Sequence, residues 1–215
     1  MPSQVLEQIL TKADGVPLFV EELTKMVLES GLLIEDAKEY TLAGKVVPLE
    51  IPMTLQDSLM ARLDRLASAK ELVQLCSILG REFTFEMLLA IQPHEKKMLQ
   101  QGLKQLVESE LLYQRDIFPK ATFIFKHALI QETAYQSMLK NTRRRYHRKI
   151  AEVLVEQFSE LATAQPEVIA HHYSEAGLAM DAVSFWQQAG QHAVERFANK
   201  EAIAHLSKGL ELLED

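Results

Sequence analysis

The stretch Thr122–Glu152, TFIFKHALIQETAYQSMLKNTRRRYHRKIAE, constrains the fold of this chain more than any other. Thr122, Phe123, Ile124 and Phe125 are strand formers, and Ala128, Leu129, Ala134, Tyr135, Met138 and Leu139 then recur at helical spacing. A strand that gives way to a helix so abruptly delivers His127 to the first turn of that helix. First-turn N–H groups lack intrahelical partners and carry partial positive charge, so they suit an anion such as a phosphate. A histidine there can donate to the anion; its competing role is to cap its own helix or to sit satisfied in an interface.

The residues before this stretch read as small helical modules. Pro2 opens a first helix with Val5, Leu6, Ile9 and Leu10 as its apolar stripe, and Gly15 stops it. Pro17 starts a second helix that contributes Leu18, Phe19, Leu23, Met26 and Val27 to a core and ends at Gly31. Leu32–Ile34 and Tyr40–Leu42 flank a polar turn as a small hairpin, and residues 44–52, with two prolines, read as a linker. Thr54 is set to cap the next helix, with Leu55, Leu59, Leu63 and Leu66 on one face and Arg62 and Arg65 on a solvated one. An opening on two helices with no sheet beneath them has the look of a larger module cut from its front.

From Ala69 the pattern is three helices followed by a two-stranded wing, LLYQR and TFIF, joined by DIFPKA. Such a winged helix often holds DNA through its third helix. Here that helix mixes Lys96, Lys97 and Lys104 with Glu95, Glu108 and Glu110, and the wing holds only Arg115 and Lys120, which disfavours DNA.

Beyond the pivotal stretch, Arg143, Arg144, Arg145, Arg148 and Lys149 fall within two turns of one helix. So many cations cannot all find internal partners, so they are a solvated face or a patch for a phosphate-bearing or acidic partner. Further on, DAVSFWQQAG from Asp181 and EAIAHLSKGL from Glu201 align, each with a helix-like lead ahead of it. Ala182, Ala189, Gly190, Ala202 and Gly209 allow close helix approach, with Trp186 and Leu206 filling the space between, as in tetratricopeptide-type arrays. Since about three such repeats are needed for stability, continuation beyond Asp215 is expected.

Composition narrows the function classes. A chain of 215 residues, 47% hydrophobic, can bury a sizeable core, and its charge of −7 argues against a surface built mainly for nucleic acid. No apolar run approaches the ~18 residues of a membrane span, and no signal peptide is legible. Cys76 is the only cysteine, which fits a reducing cytoplasm, and its neighbours Leu75, Ile78 and Leu79 make it a core residue. Adjacent His171 and His172 diverge by ~100° on a helix, so no metal site is expected of them. No GxxxxGK[ST] loop and no catalytic triad or dyad occurs, so no activity of the chain alone is expected.

Five segments in order, GVPLFVEEL from Gly15, TLQDSLMARLDRL from Thr54, LCSILGREFTFEMLLAI from Leu75, FIFKHALIQETAY from Phe123 and AHHYSEAGLAMDAVSFWQQAG from Ala170, give the chain a wider resemblance. It resembles the region that follows the nucleotide-binding core in STAND-class P-loop ATPases, signal-transduction ATPases with numerous domains. The nearest likeness is to bacterial proteins in which a class III adenylate/guanylate cyclase domain precedes that core and tetratricopeptide repeats follow. The resemblance implies a mainly α chain: residues 1–52 a helical lid remnant, 53–126 a winged-helix domain, 127–163 connecting helices and 164–215 the start of the repeats. It implies that Gly15 and Pro17 approach a nucleotide base and that His127 touches the β-phosphate of ADP held with magnesium by an upstream nucleotide-binding domain. Val16 and Ala128 depart from the residues common in such proteins, asparagine and aspartate. Protein partners are expected on the repeat helices, and the cytoplasm is the expected location. Met1, just ahead of a mid-protein motif, has the look of an excised start.

Overall fold

The structure is a computed structural model that describes the chain except residues 1, 14, 30–32, 37–38, 43–53, 67–68, 94–95 and 215. The expected linker over residues 44–52 lies outside the described residues. Among those described, the protein is mainly α and divides into two compact units, residues 1–70 and 71–215.

In the first unit α1 (Ser3–Ala13) and α2 (Pro17–Glu29) are followed by the hairpin β1 (Leu33–Asp36) and β2 (Glu39–Leu42) and by α3 (Leu55–Arg65). Val5, Ile9 and Ala13, four residues apart, meet Phe19, Leu23 and Val27, also four apart, in one buried cluster. Leu6 and Leu10, expected on that stripe, are exposed: each lies ~100° round the helix from its buried neighbour. Gly15 between the helices has φ +75°, a conformation that glycine adopts without Cβ strain. The Thr54 hydroxyl caps α3 by accepting from Asp57 N at 3.1 Å. Arg62, read from sequence as solvated, is instead buried, and its Nη1 lies 2.8 and 2.6 Å from the two Glu22 carboxylate oxygens. The buried Glu22 carboxylate draws the guanidinium inward, because neither charge is tolerable there alone.

The second unit opens with α4 (Lys70–Leu79), whose first residue closes the first unit, then β3 (Glu82–Thr84), α5 (Phe85–Ile91), α6 (Lys96–Glu108), β4 (Leu112–Arg115) and β5 (Thr122–Phe125). The sheet has three strands rather than the two of the expected wing, in the antiparallel order β3-β5-β4. Glu82 pairs with Ile124 and Thr84 with Thr122, while Leu112 pairs with Phe125 and Arg115 with Thr122. β3 escapes a sequence pattern because a three-residue strand shows too little alternation, and Thr84 serves at once as strand end and as cap of α5. Phe83 stacks on Phe123 at 5.8 Å and Phe85 meets Phe118 edge-on at 4.7 Å, so aromatic rings join sheet and helix.

Helices α7 (Ala128–Gln136), α8 (Lys140–Gln157), α9 (Ser159–Ala164), α10 (Pro166–Ala176), α11 (Ala179–Glu195) and α12 (Asn199–Glu214) complete the unit. α8 packs on α10, α10 on α11 and α11 on α12. Gly177, φ +76°, turns α10 into α11, with Leu178 N donating to Tyr173 O at 3.0 Å. The helix-like lead expected ahead of Glu201 is no separate helix; residues 192–195 are the last turn of α11, which runs unbroken through Gly190. A methyl on Gly190 would lie 2.6 Å from the Leu206 side chain, and one on Gly209 3.3 Å from Trp186 Cβ, so these glycines set how near α11 and α12 come. No described helix is long and apolar enough to cross a membrane.

Breaking the buried pair by Arg62→Ala is expected to lower stability by about 3–5 kcal/mol, because it strands the Glu22 charge, while Glu22→Leu with Arg62→Met restores most of the loss. Urea unfolding followed by circular dichroism checks this, and a loss below about 1 kcal/mol would mean a solvated pair.

Candidate functional site

His127 is the N-cap of α7, one residue ahead of the first turn in which the sequence places it. The run of β5 fixes this position: Phe125 N donates to Arg81 O and Lys126 N to Leu111 O, and the chain then breaks into the helix. The ring is half-buried and makes no capping bond to its own helix. Its Nε2 is buried and has no hydrogen-bond partner among the described residues. A buried imidazole nitrogen without a partner loses solvation that nothing in the chain restores.

Gly15 lies in the turn before α2 and Pro17 is the first residue of α2; both are exposed and belong to the first unit, whereas His127 belongs to the second. The cations on α8 divide among themselves. Arg143 lies over the Tyr135 ring at 5.0 Å, Arg145 over Tyr146 at 5.4 Å, and Arg148 donates to Glu152 at 2.8 Å. Arg144 lies against Gly177, and Lys149 is exposed. On α6 and the three-stranded sheet, Lys104 is 3.6 Å from Glu108 and Arg115 is 3.6 Å from Glu82, so carboxylates face two of the cations there.

The most developed polar constellation lies elsewhere in the second unit, in a cavity of about 690 Å³ between the end of α4 and helices α7, α8, α10, α11 and α12. His147, His171, His172 and His205 line it, with Tyr135 and Trp186. His147 Nδ1 is 2.9 Å from His172 Nδ1, Tyr135 OH is 3.1 Å from His147 Nε2, and Tyr135 OH donates to Glu175 at 3.2 Å. These contacts fix the tautomers. A carboxylate only accepts, so Tyr135 spends its proton on Glu175 and accepts from His147 Nε2–H; His147 Nδ1 then carries a lone pair, which His172 Nδ1–H must fill. The row of donors runs one way and leaves His172 Nε2 as a bare acceptor.

Electrostatics agree with that assignment. Burial, then the neighbouring His171 and Arg143, lower His147 to about 4. Burial, then His147 and His171, lower His172 to about 3. His171 is lowered by burial, against the opposing pull of Glu175, and burial and the Glu175 carboxylate raise the Tyr135 phenol. The buried pair is therefore neutral at pH 7, which is what one shared proton between two imidazoles demands. Burial likewise pushes the Cys76 thiol far up, so it is a core residue and not a nucleophile.

Sequence reading missed this row. His147 stands three, four and seven residues before the buried Ile150, Ala151 and Leu154, so helical spacing puts it on the apolar stripe of α8, but the arginines around it mask the signal. His171 and His172 stand with ring centroids 5.7 Å apart, and no group of three or more ligands able to hold a metal ion occurs among the described residues.

The lowered values set a sign for pH dependence. With folded pKa values near 4 and 3 and an unfolded value near 6.5, the unfolded chain binds more protons below pH 6.5. Stability contributed by each neutral imidazole is complete above about pH 6.5 and falls toward pH 4 by at most about 1.4 kcal/mol per pH unit. Urea midpoints followed by Trp186 fluorescence are expected to drop between pH 7 and 5, and to drop less with His147→Gln and His172→Gln together. An equally steep fall in that double variant would place the acid sensitivity elsewhere.

No protein-family profile matches the chain. It is similar to an uncharacterized protein of Rhizobium meliloti (strain 1021), 28% identical over 199 residues, a match that covers 92% of this chain and 19% of that protein. The chain thus spans about a fifth of the relative it matches.

Proposed function

We propose that this chain is a non-catalytic regulatory and interaction segment of a multidomain STAND-class signalling ATPase, and that it couples nucleotide state to conformational change and assembly. In this reading residues 1–52 are the end of a helical lid, 53–126 the winged-helix module, 127–163 connecting helices and 164–215 the start of a repeat array. ADP or ATP, with magnesium, sits on an upstream nucleotide-binding domain; Gly15 and Pro17 approach the base, and His127 donates to the β-phosphate of ADP. Exchange for ATP removes that latch and frees the module to reorient. A cytoplasmic adenylate/guanylate cyclase is the parent we favour.

One observation carries the reading: a strand hands His127 to the mouth of α7, where its buried Nε2 has no partner among the described residues. Helix N-termini attract phosphate, and a charge-assisted hydrogen bond there is worth about 1.5–3 kcal/mol, which shifts a two-state equilibrium on the order of 10- to 150-fold. Two further features support it. The matched relative is far longer than this chain, as a multidomain parent requires. Ile203, Leu210 and Leu213 of α12 are exposed on a stripe that a following repeat helix would cover.

The test is His127→Ala in the protein that carries the nucleotide-binding domain. Bound ADP is expected to leave on the order of 10-fold faster or more, with the assembled form favoured. Unchanged ADP retention would overturn the latch.

A further inference from the structure

The cavity in the second unit is independent of the nucleotide reading, and its chemistry points to a ligand of its own. Two features describe what it lacks. His205 Nδ1 on α12 is buried with no partner among the described residues, and His205 stacks on Trp186 at 5.4 Å. His172 lines the same cavity and carries the acceptor nitrogen at the end of the row that starts at Glu175, so that wall offers a lone pair to a donor, and His205 Nδ1 offers a second in the tautomer protonated at Nε2.

Charge points the same way. Glu132 and Glu167 line the cavity, and an adjoining cleft that shares His171, Trp186 and Lys208 adds Glu175 and Glu211. Lys208 is the one ammonium among the described lining residues, so carboxylates outnumber it while the buried imidazoles stay uncharged. A site for an anion would need the reverse balance.

We propose that this cavity binds an organic cation with several N–H donors, a guanidinium or alkylammonium group, its donors meeting His172 Nε2 and His205 Nδ1 and its charge balanced by Glu132 and Glu167. Lys208 Nζ lies 4.6 Å from the Trp186 ring centroid and competes for that ring. The group is either that of a free small molecule or that of a side chain on a peptide; both present the same chemistry.

Trp186 is the only tryptophan, so its fluorescence reports on the cavity directly. The whole chain is titrated with agmatine, spermidine, a capped arginine tripeptide and, as anions, glutamate and inorganic phosphate, at about 0.15 M salt. At least one cation is expected to saturate the signal below about 10 mM, and neither anion should. Glu132→Gln with Glu167→Gln should weaken cation binding about fivefold or more, and Lys208→Ala, at an exposed position, should tighten it about threefold by removing a like charge. Tighter binding of the tripeptide assigns the site to a peptide side chain and tighter binding of the free amines to a small molecule, and either result upholds the proposal. No saturation by any cation overturns it, as do saturation by an anion and a Lys208→Ala variant that binds the cation more weakly.

Discussion

The second unit depends on β5 being paired on both sides. Thr122, Phe123 and Ile124 pair with β3 on one edge and all four residues pair with β4 on the other, so both of its backbone edges are occupied and its register is fixed. Phe123 and Phe125 are wholly buried on one face, which anchors that register with aromatic packing. Because the strand end is fixed, so is the point where the backbone breaks into α7. His127 inherits its position from this pairing.

α7 then serves two purposes at its two ends. The N-terminus carries His127 with its unpartnered nitrogen, and two turns later Tyr135 belongs to the imidazole row of the cavity. Nine residues of helix separate the ends by roughly 13 Å. Gln131 Nε2 donates to Ser77 O and Gln74 Nε2 to Ser137 Oγ, so the helix is also bolted to α4 along its length.

Desolvation explains the chemistry of the cavity. Two imidazoles placed nitrogen to nitrogen at 2.9 Å allow one proton between them, and burial favours the neutral forms that this arrangement requires. Exposed Glu175 at the far end of the row orients every donor, so the cavity's hydrogen-bonding character is set from the surface. Arg143 over Tyr135 adds a cation beside the phenol, drawing the basic helix into the same arrangement.

Local pattern determined much of the architecture. Helical spacing, Thr54 and Thr84 as caps, Gly177 as a turn and the strand ahead of His127 are encoded within a few residues, where propensity and unmet backbone groups act directly. Tertiary structure decided what depends on residues distant in sequence. β3 exists because β5 offers it an edge, Arg62 is buried because Glu22 waits forty residues away, and Leu6 and Leu10 stay exposed because one line of α1 already fills the core. His147, flanked by arginines, reads as part of a charged run until α10 brings His172 against it. Pairing energies between such groups arise only when packing removes water from both, and no local stretch of sequence records that event.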